Sequence, residues 1–164
     1  MFETSLLIAQ AALTASLAAW LFAGVRDNYL YPDMNREAVR MILQFDLMQA
    51  DWPDEYAHVR HRRVEDLGLI RLAFRAIVIW ETLACGLLVV GLVALLMALF
   101  GTADPATARA LALIGATAFT VTWADFLLGG NHYCIWYSHQ GSQHTHFALA
   151  IWGTLAMIFM ALPL

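Results

Sequence analysis

Lysine is missing from this chain altogether: its nine basic residues are all arginine. Charge of either sign is scarce, at 13% of 164 residues, about half the share found in a soluble domain. Hydrophobic residues make up 61% and the mean hydropathy is +0.63, more apolar surface than one core of this size buries. A soluble enzyme and a disordered chain are excluded. Nine basic against thirteen acidic residues leave a net charge of −4, which excludes a nucleic-acid partner as well. Cysteine is equally rare, and Cys85 in an apolar run with Cys134 outside it makes no disulfide framework. What remains is an integral membrane protein whose first partner is the lipid bilayer.

Fixed charges locate the spans, because a charge at the bilayer centre is costly. Uncharged runs of 22 residues separate Glu3 from Arg26 and Glu81 from Asp104; 15 follow Arg109, and 18 more run from Phe147 to Leu164. About 20 apolar residues cross the hydrocarbon as a helix. The expected fold is an all-α membrane four-helix bundle, one domain over 1–164, with spans near 5–25, 77–100, 108–128 and 146–163. The first span is too long for a signal core, and no basic stretch precedes it. Small residues recur every fourth position at Ala11, Ala15, Ala19 and Ala23, and again at Ala108, Ala112, Ala116, Thr120 and Ala124. Such ridges let helix backbones approach closely in lipid, within the bundle or against a partner.

The long loop 26–76 holds most of the charge. Within it Ala38, Met41, Ile42, Phe45 and Met48 recur at helical spacing, opposite Arg36, Glu37, Arg40 and Asp46. This predicts an amphipathic helix over 35–49, capped by Asn35 and ended by Trp52-Pro53, lying at the interface or over the bundle. Four spans place both termini on one side and the 26–76 and 129–145 loops on the other. Eight of the nine arginines lie in or beside the long loop, so the positive-inside rule puts that loop in the cytoplasm.

Polar chemistry gathers in one leaflet. Two acids lie within spans, Glu81 and Asp125, each about one turn from the long-loop end. They read either as a proton or ion pathway or as ion pairs, Glu81 with Arg75 and Asp125 with Arg71; their shallow placement favours pairing. His132, His139, His144 and His146 fall within fifteen residues before the last span. Neutral imidazoles at that density suit copper or zinc, with Asp125 as a further ligand or an orienting group. The competing reading places them with Tyr133, Trp136 and Tyr137 in an aromatic belt at headgroup level. A haem is not expected, because no two histidines face each other deep within spans.

The run Gly129, Gly130, Tyr133, Ile135, Trp136, Tyr137 and Ser138, followed by Gly141, Ser142, Gln143 and Phe147, resembles a family motif. The family is an uncharacterised bacterial one of predicted small integral membrane proteins. Its Gly-Gly-Glu-Trp-Phe-x-Met-Trp-Gln-Ser is followed by Trp-Asn-Gly-Gln and Ala-Phe. Asn28, Asn35, Val39, Leu43 and Asp46 are similar to its Asn-rich first loop, and Glu81 falls where it also has a glutamate. The resemblance implies four spans, one polar leaflet and larger loops facing the periplasm, opposite to the arginine count. Asn131-His132 stand in place of Glu-Trp, Asp125 stands where an apolar residue is usual, and the family lends no reaction. The first reading of function is therefore a non-catalytic accessory subunit of a bacterial inner-membrane complex. Alternatives are a copper- or zinc-binding membrane protein using the histidine-rich loop and a small proton-coupled transporter using Glu81 and Asp125.

Overall fold

The computed structural model describes residues 2–162, and every regular element among them is helical. Four long helices, α1 (Phe2–Leu30), α5 (Leu67–Leu99), α6 (Pro105–His132) and α8 (Gln140–Ala161), are long and apolar enough to cross a membrane. Short helices lie between them: α2 (Pro32–Leu43), α3 (Asp46–Asp51), α4 (Pro53–Val59) and α7 (Ile135–Ser138), with a 3₁₀ turn at Arg60–Arg62. The predicted spans coincide with the long helices except at two ends: 77–100 runs one residue past α5, and 146–163 runs past Ala161 to a position outside the described residues; all four helices continue beyond the spans at the long-loop end. At 1.5 Å per residue α5 is about 50 Å long, well beyond a hydrocarbon core of about 30 Å. Helix geometry goes on satisfying backbone polar groups after the chain has left the lipid.

Each start and stop of the α5–α6 hairpin has a local cause. The Asp66 carboxylate accepts from the Gly68 amide at 2.6 Å and starts α5. Gly101, at φ +74, adopts the left-handed turn that ends it. Asp104 then caps α6 through the Thr107 amide at 2.8 Å and hydroxyl at 2.7 Å, with Pro105 in the first turn. These hydrogen bonds favour the ionised Asp104 carboxyl and hold it below its ordinary range.

Helix α6 is the centre of the bundle, packed on α5 along one side and on α8 along another, while α1 lies against α5. Lipid is as apolar as a side chain, so association rests on close approach. A Cβ on Gly91 would stand 2.6 Å from the Ala112 Cα, and one on Gly115 would stand 2.9 Å from the Leu88 Cα. The α1–α5 seam repeats every three or four residues. Leu7, Ala11, Thr14, Ala18, Leu21, Val25 and Asn28 are buried on α1, and Phe74, Val78, Glu81, Cys85 and Leu88 on α5.

The two small-residue ridges behave differently. Ala108, Ala112 and Ala116 are buried, and the ridge continues to Thr120, against which Gly153 of α8 packs. On α1 only Ala11 is buried; Ala15 is half-buried, and Ala19 and Ala23 are exposed. A strict fourth-residue spacing turns about 40° per step, or about 120° from Ala11 to Ala23, and so leaves the seam. α6 is covered on two sides and tolerates that drift; α1 is not.

One end of the bundle carries a cap. The expected single helix over 35–49 is two helices, broken at Gln44–Phe45, and Asn35 lies inside the first turn of α2 rather than capping it. Pro32 starts α2 instead. Phe45 adopts φ 57, and Cys134 in the other loop adopts φ 54. Both bury their side chains in one cluster with Met48, edged by Tyr56 and Tyr133, whose rings lie 5.9 and 5.5 Å from Phe45. A left-handed non-glycine residue costs about 1–2 kcal/mol, and burying a Phe or Met returns about 1.5–3. Packing wins over helix continuation.

Arg40 clamps the break, donating to Glu37 at 2.6 Å, to Asp46 at 2.8 Å and to Gln44. The Arg40 guanidinium holds the Glu37 carboxyl below its usual range. Arg62 donates to the His132 carbonyl at 3.0 Å, tying the long loop to the end of α6. The two loops, far apart in sequence, are one structural unit.

Candidate functional site

Beneath the cap lies a cleft of about 520 Å³. α2 roofs it with Ala38, Val39, Ile42 and Leu43, so the apolar face of that helix covers the bundle. Its floor comes from the seam: Asn28 of α1 and Glu81 of α5, each 7% exposed, meet there. Asn28 Nδ2 donates to Glu81 Oε2 at 2.7 Å, and Asn35 Nδ2 donates to Asn28 Oδ1 at 2.6 Å. A chain of three polar side chains thus joins α2, α1 and α5.

The expected Glu81–Arg75 pair does not form. Glu81 shares the inward stripe with Phe74, Val78 and Cys85, whereas Arg75 points to the exposed face. Nor does Arg71 pair with Asp125 among the described residues; Asp125 is exposed and lines the cleft. The amide that does serve Glu81, that of Asn28, was visible only as a family counterpart. A signal was present in α1, where Asn28 continues the buried sequence Leu21, Val25 by a further helical step.

The opposite wall is aromatic. Trp123 and Phe126 of α6 stack around His146 of α8, at centroid distances of 5.6 and 5.1 Å. Trp123 Nε1 and His146 Nδ1 are buried without a hydrogen-bond partner among the described residues. Buried polar atoms are rarely left so. Tyr133 and Ser142 complete that side.

The histidines are not brought together. Among the described residues no three His, Cys, Asp or Glu side chains are grouped to hold a metal ion. His144 and His146 both lie on α8, past its first turn rather than on an extended or helix-entry backbone, and two residues on a helix point about 200° apart. His144 is exposed, and His132 is exposed at the end of α6 against Tyr133. His139 bonds Ser138 Oγ at 3.0 Å, and burial keeps its imidazole below the ordinary histidine range. Only His146 and Asp125 of the expected metal ligands line the cleft.

Polar chemistry was expected to gather in one leaflet, but Gln10 is buried in the other. Its Nε2 donates to the Phe159 carbonyl at 3.2 Å, and nearby Arg109 donates to the Met160 carbonyl at 3.1 Å. These contacts tie α1 and α6 to the end of α8 and open onto no cleft described here.

A family model described as "Predicted small integral membrane protein (DUF2165)" matches residues 6–163. No curated protein and no solved structure matches the chain.

Proposed function

Given that the chain belongs to this family of predicted small integral membrane proteins, we propose that its task is to bind a small amphipathic cation in the capped cleft. The observation that carries this reading is the chemistry of the lining. Glu81 and Asp125 supply carboxylates; Trp123, Phe126 and Tyr133 supply ring faces; no arginine lines the cleft. Carboxylate and aromatic faces together are the recognition chemistry of an organic ammonium or phosphonium group. At about 520 Å³ the cleft falls within the roughly 300–1,000 Å³ of small-molecule sites. Ser142 and His146 line the cleft one turn apart on α8 but share no hydrogen bond among the described residues, and the reading is one of binding rather than catalysis.

Two ions of matched size and opposite charge test it. The full chain in nanodiscs should bind tetraphenylphosphonium saturably, quenching tryptophan fluorescence, and should not bind tetraphenylborate. The double variant E81Q/D125N should weaken phosphonium binding about 30-fold, as removal of both carboxylates facing the cation does. Equal binding of both ions, or unchanged affinity in the variant, would refute the reading.

A second reading, an accessory subunit of a bacterial inner-membrane assembly, is supported by one observation. The exposed Ala19 and Ala23 leave a smooth strip on the outside of α1. A partner subunit that copurifies with the wild type and is lost from A19L/A23L would support it. Copurification unaffected by that variant would count against the strip.

A further inference from the structure

A second, shallower cleft of about 430 Å³ lies between the end of α1, the start of α2 and the first turns of α5. Three arginines line it, Arg36, Arg71 and Arg75. Arg36 has a carboxylate partner, Asp33, at 2.6 Å. Arg71 and Arg75 are exposed and take part in no ion pair among the described residues. They stand one turn apart on the same face of α5, so both guanidinium groups address one site.

Depth identifies what sits there. Counting about 20 residues back from Leu99 places the edge of the hydrocarbon near Trp80. Arg75 is then about 8 Å and Arg71 about 14 Å above that edge, within and just above the headgroup layer. Below them Ile79, 60% exposed, lines the same cleft, and Leu83, 57% exposed, follows one step of four further on, turned about 40° round the helix. From top to bottom this strip is cationic, then apolar. That order is the complement of an anionic phospholipid standing in the leaflet.

We infer that the cleft binds the headgroup of an anionic phospholipid, its phosphodiester against Arg71 and Arg75 and one acyl chain along Ile79 and Leu83. Two cations without an acidic partner among the described residues, one turn apart, meet one phosphodiester, which favours a fixed lipid over a diffuse counterion layer. Asn28 and Phe74 line this cleft and the capped one alike. The lipid site therefore shares a wall with the cation site without depending on what occupies it.

Native mass spectrometry of the full chain in detergent, with phosphatidylglycerol or phosphatidylcholine of identical acyl chains, tests the inference. The wild type should bind phosphatidylglycerol about tenfold more tightly. That preference should vanish in R71Q/R75Q, persist in R71K/R75K to within about threefold, and be unchanged in R60Q, outside the cleft. Millimolar inorganic phosphate should leave the lipid bound. Equal binding of the two lipids by the wild type would overturn the inference. So would a preference that survives in R71Q/R75Q or is lost from both the Gln and the Lys variants, or displacement of the lipid by free phosphate.

Discussion

Replacing Asn28 by alanine is expected to lower stability by about 3 kcal/mol, near the upper end of what an orphaned buried polar group costs. Asn28 donates to Glu81 at 2.7 Å and accepts from Asn35 at 2.6 Å, so its loss strands both neighbours at once. Glu81 suffers more, because it stays buried at 7% exposure and loses the hydrogen-bond donor it has in Asn28. Removing both members should be cheaper than removing one. N28A/E81L should therefore be less destabilised than the two single changes summed, with a coupling of about 2 kcal/mol. Unfolding followed by helical signal during titration with sodium dodecyl sulfate reads all four corners of the cycle. Additive costs would mean that Asn28 and Glu81 do not act as a pair.

Gly91→Val should be as damaging for a different reason. A Cβ on Gly91 would stand 2.6 Å from the Ala112 Cα and 2.9 Å from its nitrogen, both backbone atoms that cannot rotate away. The two helices must separate, breaking the α5–α6 contact on which the bundle is centred. Overpacking of this kind costs about 3 kcal/mol or more, a fall in midpoint temperature of about 10 °C. Gly86→Val on the same helix is the control. Nothing lies within 4 Å of its missing Cβ, and it is exposed, so its midpoint should stay within about 2 °C of wild type. Equal effects at the two glycines would remove close approach as the basis of packing.

The four spans were legible because lipid enforces a simple rule: charge stays out and about 20 apolar residues cross. The family resemblance read from the Gly129–Phe147 motif is matched over residues 6–163. What escaped was tertiary. Nothing local announces that Phe45 will adopt a left-handed backbone, since the gain comes from Tyr56 and Tyr133 across the cap. Charge attraction suggested Arg75 for Glu81, yet helical geometry already separates them. Glu81 follows the inward stripe through Phe74 and Val78, while Arg75 follows the outward one towards Ile79 and Leu83. Histidine density suggested a metal site, and density along a helix is not proximity. His144 and His146 both lie on α8, and its turn sends them to different sides.

The cap over Glu81 exists only if residues near 50 and near 140 lie on the same face of the membrane, since 31–66 and 133–139 build it together. Ala50 and Gln140 are exposed and the two native cysteines are buried, so A50C and Q140C each offer one reactive thiol against a low background. A membrane-impermeant maleimide applied to sealed, uniformly oriented vesicles should label both variants from one side and neither from the other. Labelling of the two variants from opposite sides would contradict the cap, and with it the cleft that the cap closes.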